Sequence, residues 1–314
     1  MRIRLGSRGS PLALAQSRII QGMLAKWANA PEAHYPIESF VTTGDRIQDR
    51  RLEEAGGKGL FTKELDEALL DNRVDAAIHS MKDLPTRMPP GLVIACVPSR
   101  EDPRDAFISA KAVDLSALPG GATIGTASLR RRAQALNLRP DLRVVTLRGT
   151  VQTRVRRLAE GEIDATFLAL AGLKRLGLTD RATALVPIEL MPSAPCQGAL
   201  AVTCRENDRA TIDILSHLTI HQFEIATTAE RAFLDALDGS CRTPIGAYAR
   251  VVGNGLSFVG ELLTPDGVHR WRRTGEISLG ANPHRSAETL GHRLGAEVRA
   301  EAGTEYRAEG AGGW

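Results

Sequence analysis

The stretch that decides the fold is residues 3–28, IRLGSRGSPLALAQSRIIQGMLAKWA. Its first residues, IRLGS, read as a strand, and a helix follows from Ser10 through AQSRIIQGMLAKWA. Ser10 suits the N-cap and Pro11 the first helical position, where a missing N–H would have no intrahelical partner in any case. A comparable unit recurs from residue 122: the strand ATIGT, a cap at Ser128 and a helix opening LRRRAQALN. Each half then gives a second strand, IESFVTTGD (37–45) and LRVVTLRGT (142–150), and a helix, FTKELDEALLDN (61–72) and VQTRVRRLAEG (151–161). Each closes on an Asp-Ala strand, VDAAIHS (74–80) and IDATFLAL (163–170). Two similar α/β units in tandem explain this order.

The joins follow from composition. PSREDPRDAF (98–107) mixes proline and charge at the first boundary, and MPSAPCQGAL (191–200) is a Pro-rich crossover at the second. LAVTCRENDRATIDILSHL (200–218) then returns to the first domain as a strand and helix. The remainder starts with a helix around TTAERAFLDAL (227–237), alternates as short strands over 247–267 and ends in a helix through AETLGHRLGAEVRAEAG (287–303). The expected plan is α/β: domain 1 from 1–98 and 198–217, domain 2 from 104–193, and a small α+β domain 3 from 221–314.

The 314 residues, 43% hydrophobic and 25% charged, have the balance of a globular protein, and no apolar run approaches the roughly 20 residues of a membrane span. The start, MRIRLGSRGSPLALAQSR, carries basic residues without a continuous apolar region and small-residue cleavage site, so a cytoplasmic location is expected. Cysteines 96, 196, 204 and 241 lie far apart without zinc or redox spacing, and no metal is expected. Net charge is only +3, yet 34 of the 40 basic residues are arginine. Genome composition explains much of that excess, but the planar guanidinium fork also suits carboxylate and phosphate, so the places where it clusters carry information.

Polar residues fall where strands end and helices begin, where backbone N–H groups and the helix dipole favour anions. The first unit offers Arg8 and Ser10, and the second Thr126, Ser128, Arg130 and Arg131, with Arg148 and Arg154 at the next strand-to-helix turn. Several arginines aimed at one crevice imply a polyanionic ligand, although each taken singly reads as a solvated surface residue. In AIHSMKDLPTR (77–87) a strand delivers Ser80, Lys82 and Asp83 at its carboxyl end. That is an acid/base candidate or, alternatively, a turn salt bridge before Pro85. GGKGLFTKEL (56–65) sets Lys58 in a Gly-rich turn that lacks the spacing of a nucleotide-binding loop, and no GxGxxG, GxSxG or HExxH motif appears. In LDGSCRTPIGAYA (237–249), Cys241 stands in a Gly-Ser turn closed by Pro244 and Gly246; it reads as a chemical handle or as a small buried residue.

These motifs together resemble the hydroxymethylbilane synthase (porphobilinogen deaminase) family over essentially the whole chain. The matching runs, in order, are SRGSPLAL, VTTGD, GGKGLF, HSMKDLP, REDPRDAF, GTASLRR, LRGTVQTR, LALAGLKRLGL, TAERAFL and GSCRTPIG. The resemblance implies two domains like the halves of a periplasmic binding protein, and a third that presents a cofactor cysteine at the mouth of the cleft. It implies stepwise condensation of four porphobilinogen molecules, each losing ammonia, onto one enzyme-held dipyrromethane, followed by hydrolytic release of the linear tetrapyrrole. By matching motif position, Cys241 would be the attachment thiol and Asp83 the carboxylate that handles pyrrole and leaving-amine protons and faces the azafulvene cation. Arg8, Ser10, Lys58, Ser80, Lys82, Thr126, Ser128, Arg130, Arg131, Arg148, Arg154 and Arg175 would bind cofactor and substrate, whose rings each bring two carboxylates. A monomer with a small-molecule substrate is expected.

The chain departs from the family's pattern at two places. Pro195-Cys196 stands where the family often has Val-Gly or Pro-Gly before Gln-Gly, and Arg242-Thr243 where some members have Gln-Val. Two rival readings make other predictions. A pure polyanion-binding module leaves the Cys241 domain without a task, and nucleic-acid binding is disfavoured by the near-neutral charge and 4% aromatic content. Neither nucleic acid nor membrane is an expected partner.

Overall fold

The computed structural model describes residues 2–46, 60–238 and 243–303. The chain divides into two units, the first from Met1–Asp102, Lys174–Gly177 and Gln197–Glu224, the second from Pro103–Leu173, Leu178–Cys196 and Ile225–Trp314.

The first unit opens with β1 (Leu5–Arg8) and α1 (Pro11–Trp27). Ser10 is extended, and its Oγ accepts from the Ala13 N–H at 3.3 Å, with Pro11 starting the helix. This is the expected cap, and it aligns α1 so that Ile20 and Leu24 bury fully while its outer face stays exposed. Next come β2 (Ile37–Phe40), α2 (Thr43–Arg46), α3 (Lys63–Leu70), β3 (Ala76–Ser80) and β4 (Leu92–Cys96).

The second unit runs β5 (Asp105–Ser109), β6 (Thr123–Gly125), α4 (Leu129–Leu138), β7 (Arg143–Val145), α5 (Val151–Ala159), β8 (Ala165–Ala169), α6 (Leu170–Arg175) and β9 (Ala184–Leu185). The last residues of α6 count with the first unit. After the crossover, β10 (Leu200–Arg205) and α7 (Arg209–Ser216) follow. Strand β10 enters the first sheet, antiparallel between β3 and β4 with Leu200 opposite Ser80 and Val202 opposite Cys96.

The two sheets share one plan. The first has the order β2-β1-β3-β10-β4 and the second β7-β6-β8-β5-β9. In each, three parallel strands adjoin one antiparallel strand that precedes the edge. The antiparallel strand follows a crossover in both cases, late in the chain for the first sheet and early for the second. The sequence reading did not single out β4, β5 or β9, which carry little alternation.

The C-terminal region adds α8 (His221–Ala236), the antiparallel sheet β11 (Ile245–Val252), β12 (Gly255–Leu263) and β13 (Arg270–Ser278), and α9 (Pro283–Ala302). It has its own core, in which Phe233, Phe258, Leu262, Leu290, Leu294 and Val298 pack between the sheet and the helices. The fold class is α/β with a small C-terminal α+β part. Among the described residues no helix is long and apolar enough to cross a membrane.

Candidate active site

In the first unit, β3 ends in a single 3-10 turn, Met81–Asp83, pinned by the Met81 N–H donating to the Ala199 carbonyl (3.0 Å) and the Leu84 N–H to the Met81 carbonyl (3.1 Å). Met81 and Leu84 are buried, so the turn is anchored at both sides while Lys82 and Asp83 stay half-buried. Lys82 Nζ donates to Gln197 Oε1 at 3.2 Å. The Asp83 carboxylate has no hydrogen bond or ion pair to another described residue, so the turn salt bridge is not formed. Ser80 Oγ accepts from Gln16 Nε2 at 2.8 Å. At the end of β1, the Arg8 guanidinium pairs with Asp45 and lies 4.3 Å from the centre of the Phe61 ring. Burial pushes the Asp45 carboxyl up, but its bonds from Arg8 and Thr42 outweigh that and hold it below the usual carboxylate range. Arg175 donates to the Gly198 carbonyl at 2.6 Å, and burial, partly opposed by Glu101, lowers its pKa to about 10.

The second unit gathers cations at two consecutive helix starts. Ser128 caps α4, its Oγ accepting from the Arg131 N–H at 3.4 Å, and Thr126 Oγ1 accepts from the Ser128 N–H at 3.1 Å. Arg130 and Arg131 are buried on either side of Asp105, which takes Arg130 at 2.9 Å and Arg131 at 2.8 Å. Arg130 also donates to Gln134 Oε1 and the Pro192 carbonyl, and Arg131 to the Phe167 carbonyl. Thr150 caps α5, and Arg154 in its first turn donates to the Gly149 carbonyl at 3.0 Å. Burial, with the nearby charges of Arg131 and Arg148, pulls the Arg154 pKa down to about 10. Arg148 has no carboxylate partner among the described residues, and the buried Nε atoms of Arg130, Arg131 and Arg148 have no hydrogen-bond partner. Such a cluster carries more positive than negative charge, and an anionic ligand is what would balance it.

Residues 3–213 match the family model for the porphobilinogen deaminase dipyromethane cofactor binding domain, and residues 225–300 that for the porphobilinogen deaminase C-terminal domain. The chain belongs to the porphobilinogen deaminase family. Porphobilinogen deaminases of Caulobacter vibrioides and Phenylobacterium zucineum are 53% and 50% identical to it over 310 residues, covering 96% of this chain in both cases and 96% and 97% of the relatives. A nutrient binding protein from Burkholderia cenocepacia solved with methionine is similar at 15% identity and TM-score 0.43, over 68% of this chain and 89% of that one. As a porphobilinogen deaminase, the chain is a transferase that makes hydroxymethylbilane and uses a dipyrromethane cofactor.

The donors present fit that group. A dipyrromethane brings several carboxylates, and the second unit holds buried guanidinium Nε atoms with no hydrogen-bond partner among the described residues, in a charge cluster that Asp105 partly neutralises. Of the residues expected from sequence, Arg8, Ser10, Ser80, Lys82, Asp83 and Arg175 belong to the first unit, and Thr126, Ser128, Arg130, Arg131, Arg148 and Arg154 to the second. The Ser10 and Ser128 hydroxyl oxygens accept at helix caps, which leaves each O–H able to donate. Lys58 and Cys241 lie outside the described residues. Sequence reasoning did not single out Asp105, which sits in the matching run REDPRDAF, nor Asp45, Gln134 and Gln197, which reach Arg8, Glu261 and Lys82 far away along the chain.

Proposed function

We propose that this chain divides the work of its family between Asp83 and the arginines. The observation that carries the reading is the cluster of Arg131, Arg148 and Arg154, in which the charges of Arg131 and Arg148 act against that of Arg154 and the buried Nε atoms of Arg131 and Arg148 have no acceptor among the described residues. Arg130, Arg131, Arg148 and Arg154 take carboxylates of the cofactor and the growing chain through charge-assisted bonds. Thr126 and Ser128 supply polar atoms at the start of α4. Arg8, Ser10, Lys58, Ser80, Lys82 and Arg175 bind substrate side chains.

The dipyrromethane, when bound through Cys241, would supply the free ring carbon that the first porphobilinogen joins, each later one joining the ring added before it. The Asp83 carboxylate lies beside the cation that the substrate becomes as ammonia leaves, and it moves the protons of the pyrrole nitrogen and leaving amine. Its lack of any described partner supports this, because a free carboxylate keeps both oxygens for substrate. Residues 221–314 act as the cofactor-carrying domain, and the enzyme works as a cytoplasmic monomer.

Intact mass spectrometry tests the reading. The purified protein should exceed its sequence mass by one dipyrromethane, with the addition on the Cys241 peptide and lost in Cys241→Ser. Absence of the added mass, or its survival in Cys241→Ser and loss in Cys196→Ser or Cys204→Ser, removes the assignment.

A further inference from the structure

Within the second unit, Gln134 on α4 ties together three parts of the chain. It is 2% exposed; its Oε1 accepts from Arg130 at 2.7 Å, and its Nε2 donates to the Pro192 carbonyl at 2.8 Å and to Glu261 Oε1 at 2.7 Å. Glu261, on the central strand β12, is fully buried, with Arg272 3.7 Å from its other oxygen. In the ladder Glu261 lies opposite Gly246 of β11. A Cβ added at Gly246 would meet the Pro192 carbonyl at 2.7 Å and Gln134 Nε2 at 3.1 Å, so the strand passes against α4 with no room for a side chain. The Ala247 N–H donates to the Ser193 carbonyl at 2.8 Å. The start of β11, four residues after Cys241, is therefore fixed to the same glutamine that holds Arg130.

A buried amide and carboxylate are a costly way to join a sheet to a helix, since an apolar contact would serve without desolvation. What this pair adds is geometry, because its bonds set both the height of β11 on α4 and the direction of the Arg130 guanidinium.

We propose that Gln134 and Glu261 are positioning residues for priming, fixing the strand that leads from Cys241 relative to Arg130 while the cofactor is attached. The step rests on the function proposed above. The Cys241 sulfur bonds to the aminomethyl carbon of the first pyrrole, the carbon–nitrogen bond breaks, and ammonia leaves carrying the thiol proton. Before that bond exists, no ligand tethered through Cys241 ties β11 to the arginines, so the alignment of the strand with Arg130 depends on the protein's own clamp. Afterwards the cofactor's carboxylates share the task.

The test uses full-length protein made in cells that cannot form porphobilinogen, mixed with porphobilinogen and followed by intact mass. Gln134→Leu should fold cooperatively and gain the dipyrromethane mass about tenfold or more slowly than wild type, a size expected of small misplacements. The slowing should exceed any loss of turnover per cofactor-bearing molecule. Glu261→Gln keeps an acceptor for Gln134 and should attach the cofactor within about twofold of wild type, whereas Glu261→Leu should be slow. If Gln134→Leu does not fold, Gly246→Ala displaces β11 with Gln134 intact and should show the same slow attachment. Wild-type attachment rates in the folded Gln134→Leu or Gly246→Ala variant, or equal slowing in Glu261→Gln and Glu261→Leu, overturn the proposal. A wild-type protein that gains no mass would instead refute the function on which it rests.

Discussion

Asp105 holds Arg131 in a buried contact, Oδ1 to guanidinium nitrogen 2.8 Å, with Asp105 1% and Arg131 6% exposed. Its other oxygen holds Arg130. Arginines assigned to carboxylate binding are thus also bound into the folding core, and removing one strips an oxygen of a buried carboxylate of its guanidinium donor. Arg131→Leu should lower stability by about 3–5 kcal/mol, the usual consequence of breaking a buried pair. Chemical denaturation of cofactor-free protein measures this, and intact mass should show little cofactor. A variant as stable as wild type would mean that Asp105 is satisfied without Arg131.

Arg148 stands in the opposite position. It adds a positive charge beside Arg154 and has no carboxylate partner among the described residues. Arg148→Leu should leave the cofactor-free protein as stable as wild type or slightly more so, since like-charge repulsion is relieved. Ligand binding should weaken by about 1.5–3 kcal/mol for the lost charged hydrogen bonds, seen as altered accumulation of enzyme-bound intermediates. Destabilisation on the scale of Arg131→Leu, with a normal ladder of intermediates, would make Arg148 a structural residue.

Asp66 gives a pH signature. It is buried in α3, and burial, followed by repulsion from Glu64 and Glu67, pushes its carboxyl up to about 6. The unfolded value is about 3.9, so between pH 4 and 6 the folded state binds the extra proton and stability falls as pH rises, levelling off above. The effect is on the order of 3 kcal/mol. Asp66→Asn should be more stable than wild type at pH 7 and lose that slope. Parallel denaturation curves for the two proteins from pH 4.5 to 7 would show that Asp66 is not the source.

Local signals carried the fold a long way. Ser10-Pro11 and Ser128 announced the starts of α1 and α4, and the two Asp-Ala strands became β3 and β8. The return of β10 to the first sheet followed from a Pro-rich crossover ahead of a strand and helix. The strands β4, β5 and β9 were not legible, because runs of two to five residues are too short to carry a period of their own. The site residues were found as types at strand ends, but their states were not. Nothing local marks that Asp105 engages Arg130 and Arg131, or that Gln134 reaches Glu261, since these partners meet only through the sheet order.

The departure at Pro195-Cys196 has a conformational meaning. Cys196 has φ +63, the left-handed region that glycine occupies freely, which fits the glycine often found there in the family. The thiol side chain is buried, and the Cys196 N–H donates to Glu230 Oε2 at 2.5 Å. Cys196→Gly should relieve about 1–2 kcal/mol of backbone strain and lose a similar amount of packing, leaving stability within about 1 kcal/mol. Cys196→Val, branched at Cβ, should be clearly destabilising. A thermal scan of both variants decides it, and a Val variant equal to Gly would show that the backbone is not held at this φ.

Asp83 is the sharpest test of mechanism. Its turn is anchored by Met81 and Leu84, and its carboxylate meets no described partner, so Asp83→Asn should leave the fold and the attached dipyrromethane intact. The amide keeps the shape but carries no negative charge to offset the substrate cation and accepts no proton. Turnover should fall by about 10²–10⁴-fold, the range for a positioned acid/base, with lost electrostatic stabilisation adding to it. Asp83→Glu restores the charge at a displaced position and should recover part of the rate. Both variants are checked for cofactor by intact mass, then assayed for bilane formation at saturating porphobilinogen. An Asn variant within a fewfold of wild type would make Asp83 a turn residue and move the proton work to another group.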